Sequence, residues 1–128
     1  MYRIGEFSKI TDLTTQTLRY YDSEKILSPS YRNEGNGYRY YSADDIETAQ
    51  YISLLRKFNF SIMEIKDVLS NMRTQEDFND FINEKIVLTE SLIMQHKSVI
   101  DEMKSYLSLR PLEKKEVENM KYKSTSQN

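Results

Sequence analysis

The sequence lacks cysteine altogether and contains one histidine, His96, among its 128 residues. The absence of cysteine excludes disulfides, thiolate zinc sites, iron–sulfur clusters and thiol catalysis, and a single histidine excludes histidine-rich metal sites. No apolar run is long enough for a helix that spans a bilayer. The first residues contain no hydrophobic signal segment. These absences predict a cytoplasmic protein that carries no metal and no cofactor.

The sequence also lacks an excess of either charge, with 18 lysines and arginines against 20 aspartates and glutamates and a net charge of −2. Residues 1–43 alone have six basic and five acidic side chains. Such a chain binds nucleic acid only if folding gathers its basic side chains on one surface. We find no phosphate-binding loop and no nucleophile–base signature. Asp44 and Asp45 follow Ser42 as helix-capping carboxylates do, so we expect no enzyme.

The start of the chain predicts two short helices. Phe7 and Ile10 stand three apart, as on one face of a helix over residues 6–11. After a three-residue break, Thr14 suits the N-cap of a second helix over residues 15–24. Two helices joined by about three residues have the spacing of a helix-turn-helix.

A tyrosine-rich segment begins after Pro29, a residue that cannot continue a helix. Because tyrosine favours extended backbone, we expect strands near residues 30–32 and 38–41. The sequence Glu-Gly-Asn-Gly at 34–37 is a strong turn signal between them. The segment therefore predicts a small β-hairpin, called the wing below.

The rest of the chain predicts helices. Ser42 is suited to cap a helix that runs to about Phe58, and Asn59 suits the left-handed residue that ends it. Ser61 opens a second capping box, followed by a short helix with one apolar face. Residues 75–110 contain neither glycine nor proline. They predict one helix that is too long to lie on a single small core.

The long helix has a coiled-coil pattern. Alternating steps of four and three residues from position 82 to position 107 align six apolar side chains with two polar ones, Thr89 and His96. The predicted dimerisation residues are Ile82, Ile86, Ile93, Ile100, Met103 and Leu107. We expect two copies of this helix to pair as an antiparallel coiled coil in a homodimer. The alternative is a long helix packed on its own domain.

The second helix presents a polar face away from its apolar residue Leu18. At about 100° per residue, Gln16, Arg19, Tyr20 and Ser23 fall on that face, and such side chains can enter a major groove. The wing adds basic and aromatic side chains able to lie along a phosphate backbone. The candidate DNA-binding residues are Thr15, Gln16, Thr17, Arg19, Tyr20, Arg32, Asn33, Tyr38, Arg39, Tyr40 and Arg56. The alternatives are a solvated helix face and tyrosines that pack a small sheet.

Three motifs occur in order: Ile4-Gly5-Glu6-Phe7-Ser8-Lys9, Thr17-Leu18-Arg19-Tyr20-Tyr21-Asp22 and Asn36-Gly37-Tyr38-Arg39-Tyr40-Tyr41-Ser42. Their order and spacing resemble the MerR family of bacterial transcription regulators, and the match covers residues 2–72. The segment that begins at Phe60 is similar to the start of the family's fourth helix, and the long helix is similar to its dimerisation helix. Asp12-Leu13-Thr14 replaces the usual Gly-Val-Ser, and Phe58-Asn59 replaces Leu-Gly. Aspartate and asparagine tolerate left-handed backbone, so we expect the fold to be kept.

The resemblance implies a mostly α-helical winged helix-turn-helix followed by a long antiparallel coiled-coil dimerisation helix. It also implies a homodimer that binds double-stranded, pseudo-palindromic promoter DNA, distorts the spacer and acts with RNA polymerase. At matching positions, Arg19 and Tyr20 correspond to contacts of the recognition helix. Tyr38 and Arg39 correspond to wing contacts, and Arg56 to a phosphate contact of the third helix.

The expected division is a DNA-binding domain over residues 1–73, a dimerisation helix over 74–110 and a short tail or linker over 111–128. The metal- and redox-sensing branches of the family use cysteine ligands, which this chain lacks. The drug-binding branch carries a ligand domain after the long helix. We therefore expect a small-molecule effector to act through a domain outside this chain; a short regulator that answers to a protein partner is the alternative. The rival function is a coiled-coil interaction module that does not bind DNA.

Overall fold

The computed structural model describes residues 1–109, which form five α-helices and one two-stranded antiparallel sheet. The helices are α1 (Ile4–Thr11), α2 (Thr15–Ser23), α3 (Ala43–Lys57), α4 (Ile62–Asn71) and α5 (Gln75–Leu109), and the strands are β1 (Tyr31–Arg32) and β2 (Arg39–Tyr40). The prediction of a mostly α-helical chain with a hairpin between its second and third helices is confirmed.

The ends of the first two helices are fixed by local hydrogen bonds and backbone conformation. The backbone N–H of Arg3 donates to Glu6 Oε1 at 3.4 Å, and α1 therefore begins two residues before the predicted position. Asp12 has left-handed backbone at φ 59°, as its place in the turn predicts. Thr14 accepts a hydrogen bond from the N–H of Thr17 at 3.0 Å, which confirms it as the N-cap of α2.

The two predicted capping boxes are both present. Ser42 Oγ accepts from the N–H of Asp45 at 3.3 Å, and Asp45 Oδ2 accepts from the N–H of Ser42 at 2.7 Å. Ser61 and Glu64 make the same reciprocal pair at 3.1 and 2.9 Å. Asn59 has φ 63° between α3 and α4, which confirms the predicted left-handed end. These signals are local, because each spans only three residues.

The hairpin is shorter than predicted and has an additional partner. Its register pairs Tyr31 with Tyr40 and Arg32 with Arg39. The next residue, Tyr41, pairs instead with Tyr2, through reciprocal backbone hydrogen bonds of 2.8 and 2.7 Å. The predicted strand over 38–41 is thus shared between two partners, and the N-terminus lies against the wing.

Residues 1–78 form one compact unit with a continuous apolar core. Phe7 of α1 stacks on Tyr41, with ring centroids 4.1 Å apart, and both side chains are buried. In the first turn of α5, Phe78 meets Tyr51 edge-on at 4.8 Å and is 2% exposed. Because Phe78 packs in this core, the unit extends beyond residue 73. The expected functional division at 73 stays a prediction.

The second unit begins at Asn79, and its described part is the remainder of α5. Many apolar side chains of this part are exposed in the single chain, Ile93 by 62% and Leu107 by 60%. Residue 110, the predicted last residue of the long helix, and the predicted tail over 111–128 lie outside the described residues. Within residues 1–109, no helix is both long and apolar enough to span a membrane.

Candidate nucleic-acid interface

Helix α2 presents a polar face to solvent. Gln16, Arg19 and Tyr20 are exposed, whereas Leu18 is completely buried and Tyr21 nearly so. This division matches the expected helical wheel, because residues separated by about 200° lie on opposite sides of a helix. The exposed side chains include an amide, a guanidinium and a phenol, which together can bind phosphates and base edges.

Two threonines of the predicted set are less exposed than those three side chains. Thr15 and Thr17 are half-buried at the start of α2. The hydroxyl of Thr17 accepts a hydrogen bond from the hydroxyl of Thr14 at 2.9 Å. Thr14 Oγ1 also accepts a hydrogen bond from the backbone N–H of Thr17. The first turn of α2 is therefore held by its own polar groups.

The turn between the helices is braced from α1. The hydroxyl of Ser8 donates to the carbonyl oxygen of Leu13, and the hydroxyl of Thr11 donates to that of Phe7 at 2.8 Å. The bond from Ser8 ties α1 to the turn that precedes α2, whereas the bond from Thr11 stays within the last turn of α1.

The tip of the wing is organised by two asparagines. Asn33 Oδ1 accepts from the backbone N–H groups of Gly35 and Asn36 at 2.8 and 3.2 Å. The amide of Asn36 donates to the hydroxyl of Tyr40 at 3.1 Å. Gly37 has φ 73°, where a side chain would be strained. Asn33 and Tyr40, both predicted DNA contacts, thus shape the wing.

The outer surface of the wing is basic and aromatic. Tyr38 is 51% exposed, and the guanidinium of Arg3 lies 4.2 Å from the centre of its ring, which is a cation–π contact. Arg32 is exposed on β1. Sequence reasoning missed Arg3, since only the pairing of Tyr2 with Tyr41 brings the N-terminus to the wing.

One carboxylate connects α2 to the wing. Asp22 accepts from both terminal nitrogens of Arg39, with Nη1–Oδ2 at 3.2 Å and Nη2–Oδ1 at 3.3 Å. A hydrogen bond from the Ser28 side chain lowers the pKa of Asp22, and Arg39 lowers it further, both against the effect of partial burial. Sequence reasoning also missed Asp22, because its partner lies 17 residues away.

The pKa of Tyr41 is affected by its burial and by charged side chains nearby. Burial raises the pKa of its phenol, and the carboxylates of Asp22 and Asp45 add to the rise. The guanidinium groups of Arg39 and Arg19 act in the opposite direction.

Arg56 is exposed in the last turn of α3. In the part of the chain that the structure describes, no side-chain hydrogen bond or ion pair joins Arg56 to α2 or to the wing. The structure therefore brings ten of the eleven predicted residues to α2 and the wing, and places Arg56 on a separate element.

The chain matches the family described as MerR HTH family regulatory protein over residues 2–72, which is more than half of its length. It belongs to the MerR family. Among curated relatives, it is 30% identical to the HTH-type transcriptional regulator ZntR of Escherichia coli (strain K12), over 77% of this chain and 73% of that protein. It is 35% identical to the Multidrug-efflux transporter 2 regulator of Bacillus subtilis (strain 168), over 77% of this chain but 35% of that protein.

One solved structure with a similar fold is a complex with DNA. The cryo-EM structure of the EcmrR–DNA complex in EcmrR-RPo superimposes with a TM-score of 0.57 at 30% identity, over 83% of this chain and 38% of that one. The relatives are transcriptional regulators. This chain is accordingly a MerR-family, helix-turn-helix, DNA-binding transcriptional regulator.

Proposed function

We propose that this regulator binds pseudo-palindromic promoter DNA as a homodimer and distorts the spacer, so that RNA polymerase is its functional partner. The observation that carries the proposal is the exposed polar face of α2, joined to a basic and aromatic wing through Asp22 and Arg39. The similar fold of EcmrR in a DNA complex supports it. Since its ligand is promoter DNA, we place its action in the cytoplasm.

The proposed DNA contacts fall into two groups. Exposed side chains are able to touch DNA directly: Gln16, Arg19, Tyr20, Arg32, Tyr38 and Arg56. The others are half-buried or already hydrogen-bonded within the protein: Thr15, Thr17, Asn33, Arg39 and Tyr40. We propose that the first group contacts bases or phosphates directly. The second group belongs to the same surface, where its side chains are half-buried or bonded within the protein.

The exposed apolar row on α5 supports the proposed homodimer. Ile86, Ile93 and Ile100 are 49%, 62% and 45% exposed, and Met103 and Leu107 continue the row at 55% and 60%. Ile82, at its start, is half-buried. Apolar side chains at alternating steps of four and three form the seam of a coiled coil, and burying each one stabilises the paired state. An antiparallel pair of α5 helices would bury the row.

We infer that the effector is a small molecule bound by a domain outside this chain. The chain has no cysteine, so a thiolate sensor of metal or redox state has no ligands here. The Bacillus multidrug-efflux regulator supports the inference, since the part of this chain that matches it corresponds to 35% of that protein.

Selection from a random pool of duplex DNA, followed by footprinting, tests the function. We expect the chain to enrich an inverted repeat and to protect both halves. Arg19→Ala should weaken binding of the enriched site by about tenfold to a hundredfold, since a good bidentate contact is worth about 1–3 kcal/mol. Lys104→Ala is the control, because it removes the same charge from α5, where no contact is proposed.

Two results would overturn the proposal. A folded dimer that enriches no sequence would instead support the coiled-coil interaction module. Equal affinity of the wild type and Arg19→Ala for an enriched site would show that α2 does not read the DNA.

A further inference from the structure

The contact between Asp22 and Arg39 places a carboxylate beside a predicted phosphate contact. Asp22 lies in the last turn of α2, and Arg39 begins β2. Each carboxylate oxygen accepts from a different terminal nitrogen of the guanidinium, at 3.2 and 3.3 Å. This side-by-side geometry constrains the orientation of the guanidinium as well as its distance from the carboxylate.

The pair joins two elements that are distant in sequence. Asp22 and Arg39 stand 17 residues apart, so the recognition helix and the second strand of the wing meet at one ion pair. Backbone bonds of the hairpin do not provide this connection, because they join β1 to β2 and Tyr41 to Tyr2.

Pairing also changes what Arg39 offers to DNA. A guanidinium beside a carboxylate has almost no net charge at a distance, so its attraction for a phosphate is largely cancelled. Arg19 and Arg32 are exposed, and neither has a salt bridge in the part of the chain that the structure describes. Arg39 is thus the poorest phosphate ligand of the three and the best placed to hold the wing.

We propose that Asp22 and Arg39 form a latch that sets the wing against the recognition helix, and that Arg39 is a positioning residue rather than a phosphate contact. The proposal rests on the DNA-binding function proposed above. The latch fixes the relative position of two elements that must fit one groove and the adjacent backbone at the same time. Opening it leaves each contact side chain in place on its own element but spoils their joint fit.

The two roles of Arg39, phosphate contact and latch, predict opposite effects of Asp22→Asn on DNA affinity. If Arg39 binds phosphate, Asp22→Asn frees its charge and removes a repulsive carboxylate, so DNA binding becomes tighter. If the pair is a latch, Asp22→Asn weakens specific binding. Glu24 and Lys66 provide a matched control: they form an exposed ion pair at the end of the same helix, 3.4 Å long, that reaches α4 instead of the wing.

The experiment measures affinity for the enriched DNA site against salt concentration, in the full chain, for Asp22→Asn, Arg39→Gln, Arg39→Lys, the double variant Asp22→Asn with Arg39→Gln, and Glu24→Gln. Thermal unfolding checks that each variant is folded. We expect Asp22→Asn and Arg39→Gln each to weaken binding about tenfold, and the double variant to be no weaker than either one. Arg39→Lys should recover part of the loss, and Glu24→Gln should not weaken binding.

The salt dependence separates positioning from direct contact. Each phosphate contact contributes about 0.9 to the slope of log affinity against log salt. We expect the slopes of Asp22→Asn and Arg39→Gln to equal that of the wild type. Tighter binding by Asp22→Asn, or a slope reduced by about 0.9 in Arg39→Gln, would overturn the latch while leaving the proposed function intact. Failure of the wild type to bind any enriched site would overturn the proposed function itself.

Discussion

At the scale of single residues, three non-glycine positions among residues 1–109 have left-handed backbone: Asp12 at φ 59°, Lys25 at φ 60° and Asn59 at φ 63°. Aspartate and asparagine tolerate this conformation because their short polar side chains can hydrogen-bond locally, whereas lysine lacks that compensation. Lys25 adopts it at the end of α2, where its N–H donates to the Asp22 carbonyl at 3.0 Å. The backbone at Lys25 is therefore strained by the way the helix must end.

Lys25→Gly should raise the free energy of unfolding by about 1 kcal/mol, because relief of left-handed strain exceeds the extra entropy of glycine in the unfolded chain. Urea denaturation measures the change. Lys9→Gly, inside α1, is the control and should lower the same quantity by about 1 kcal/mol. A loss of stability in both variants would show that Lys25 is not strained.

At the scale of elements, the helices follow from local signals and the wing does not. The caps at Thr14, Ser42 and Ser61 lie within three residues of the amides they serve. The wing contacts the rest of the unit through the ion pair of Asp22 with Arg39, and the chain that follows it pairs through Tyr41 with Tyr2. A tyrosine-rich segment with a turn predicts a hairpin, but only contacts between elements decide where it lies.

The latch should make a small, pH-dependent contribution to stability. Its partners hold the folded-state pKa of Asp22 below the ordinary aspartate value of about 3.9. The contribution is therefore complete above that value and is lost as the pH falls through the lowered pKa. Because the pair is partly exposed, we expect no more than about 1 kcal/mol.

The measurement compares the unfolding free energies of the wild type and Asp22→Asn from pH 7 down to pH 2. Their difference should be constant to about pH 5 and should shrink below pH 4. Comparing two variants cancels the titration of the other carboxylates. A difference that grows as the pH falls would contradict the lowered pKa.

At the scale of the whole molecule, the compact unit over residues 1–78 buries its own apolar core, but the described part of α5 beyond it does not. A row of exposed apolar residues along a helix is stable in water chiefly when another surface covers it. The sequence pattern predicts that this surface is a second α5. In the proposed homodimer, the long helix would supply the interface between the two copies.

Ile93→Glu should shift the protein from dimer to monomer in analytical ultracentrifugation, because it places a charge in the seam. Met94→Glu is a closely matched control: Met94 is adjacent in sequence, similarly exposed at 73% against 62%, and lies about 100° further round the helix. It should leave the dimer intact. If both variants dissociate equally, or neither does, the predicted seam is not the interface.

The local sequence by itself determined the helix ends, the turn at Asp12 and the unbroken α5, since capping and helical periodicity act over a few residues. It also carried the motifs that match the MerR family. Only the tertiary structure decided that Arg3 lies on Tyr38 and that Arg39 turns to Asp22. These partners are far apart in the chain, so packing of the shared core, and not any local preference, brings them within bonding distance.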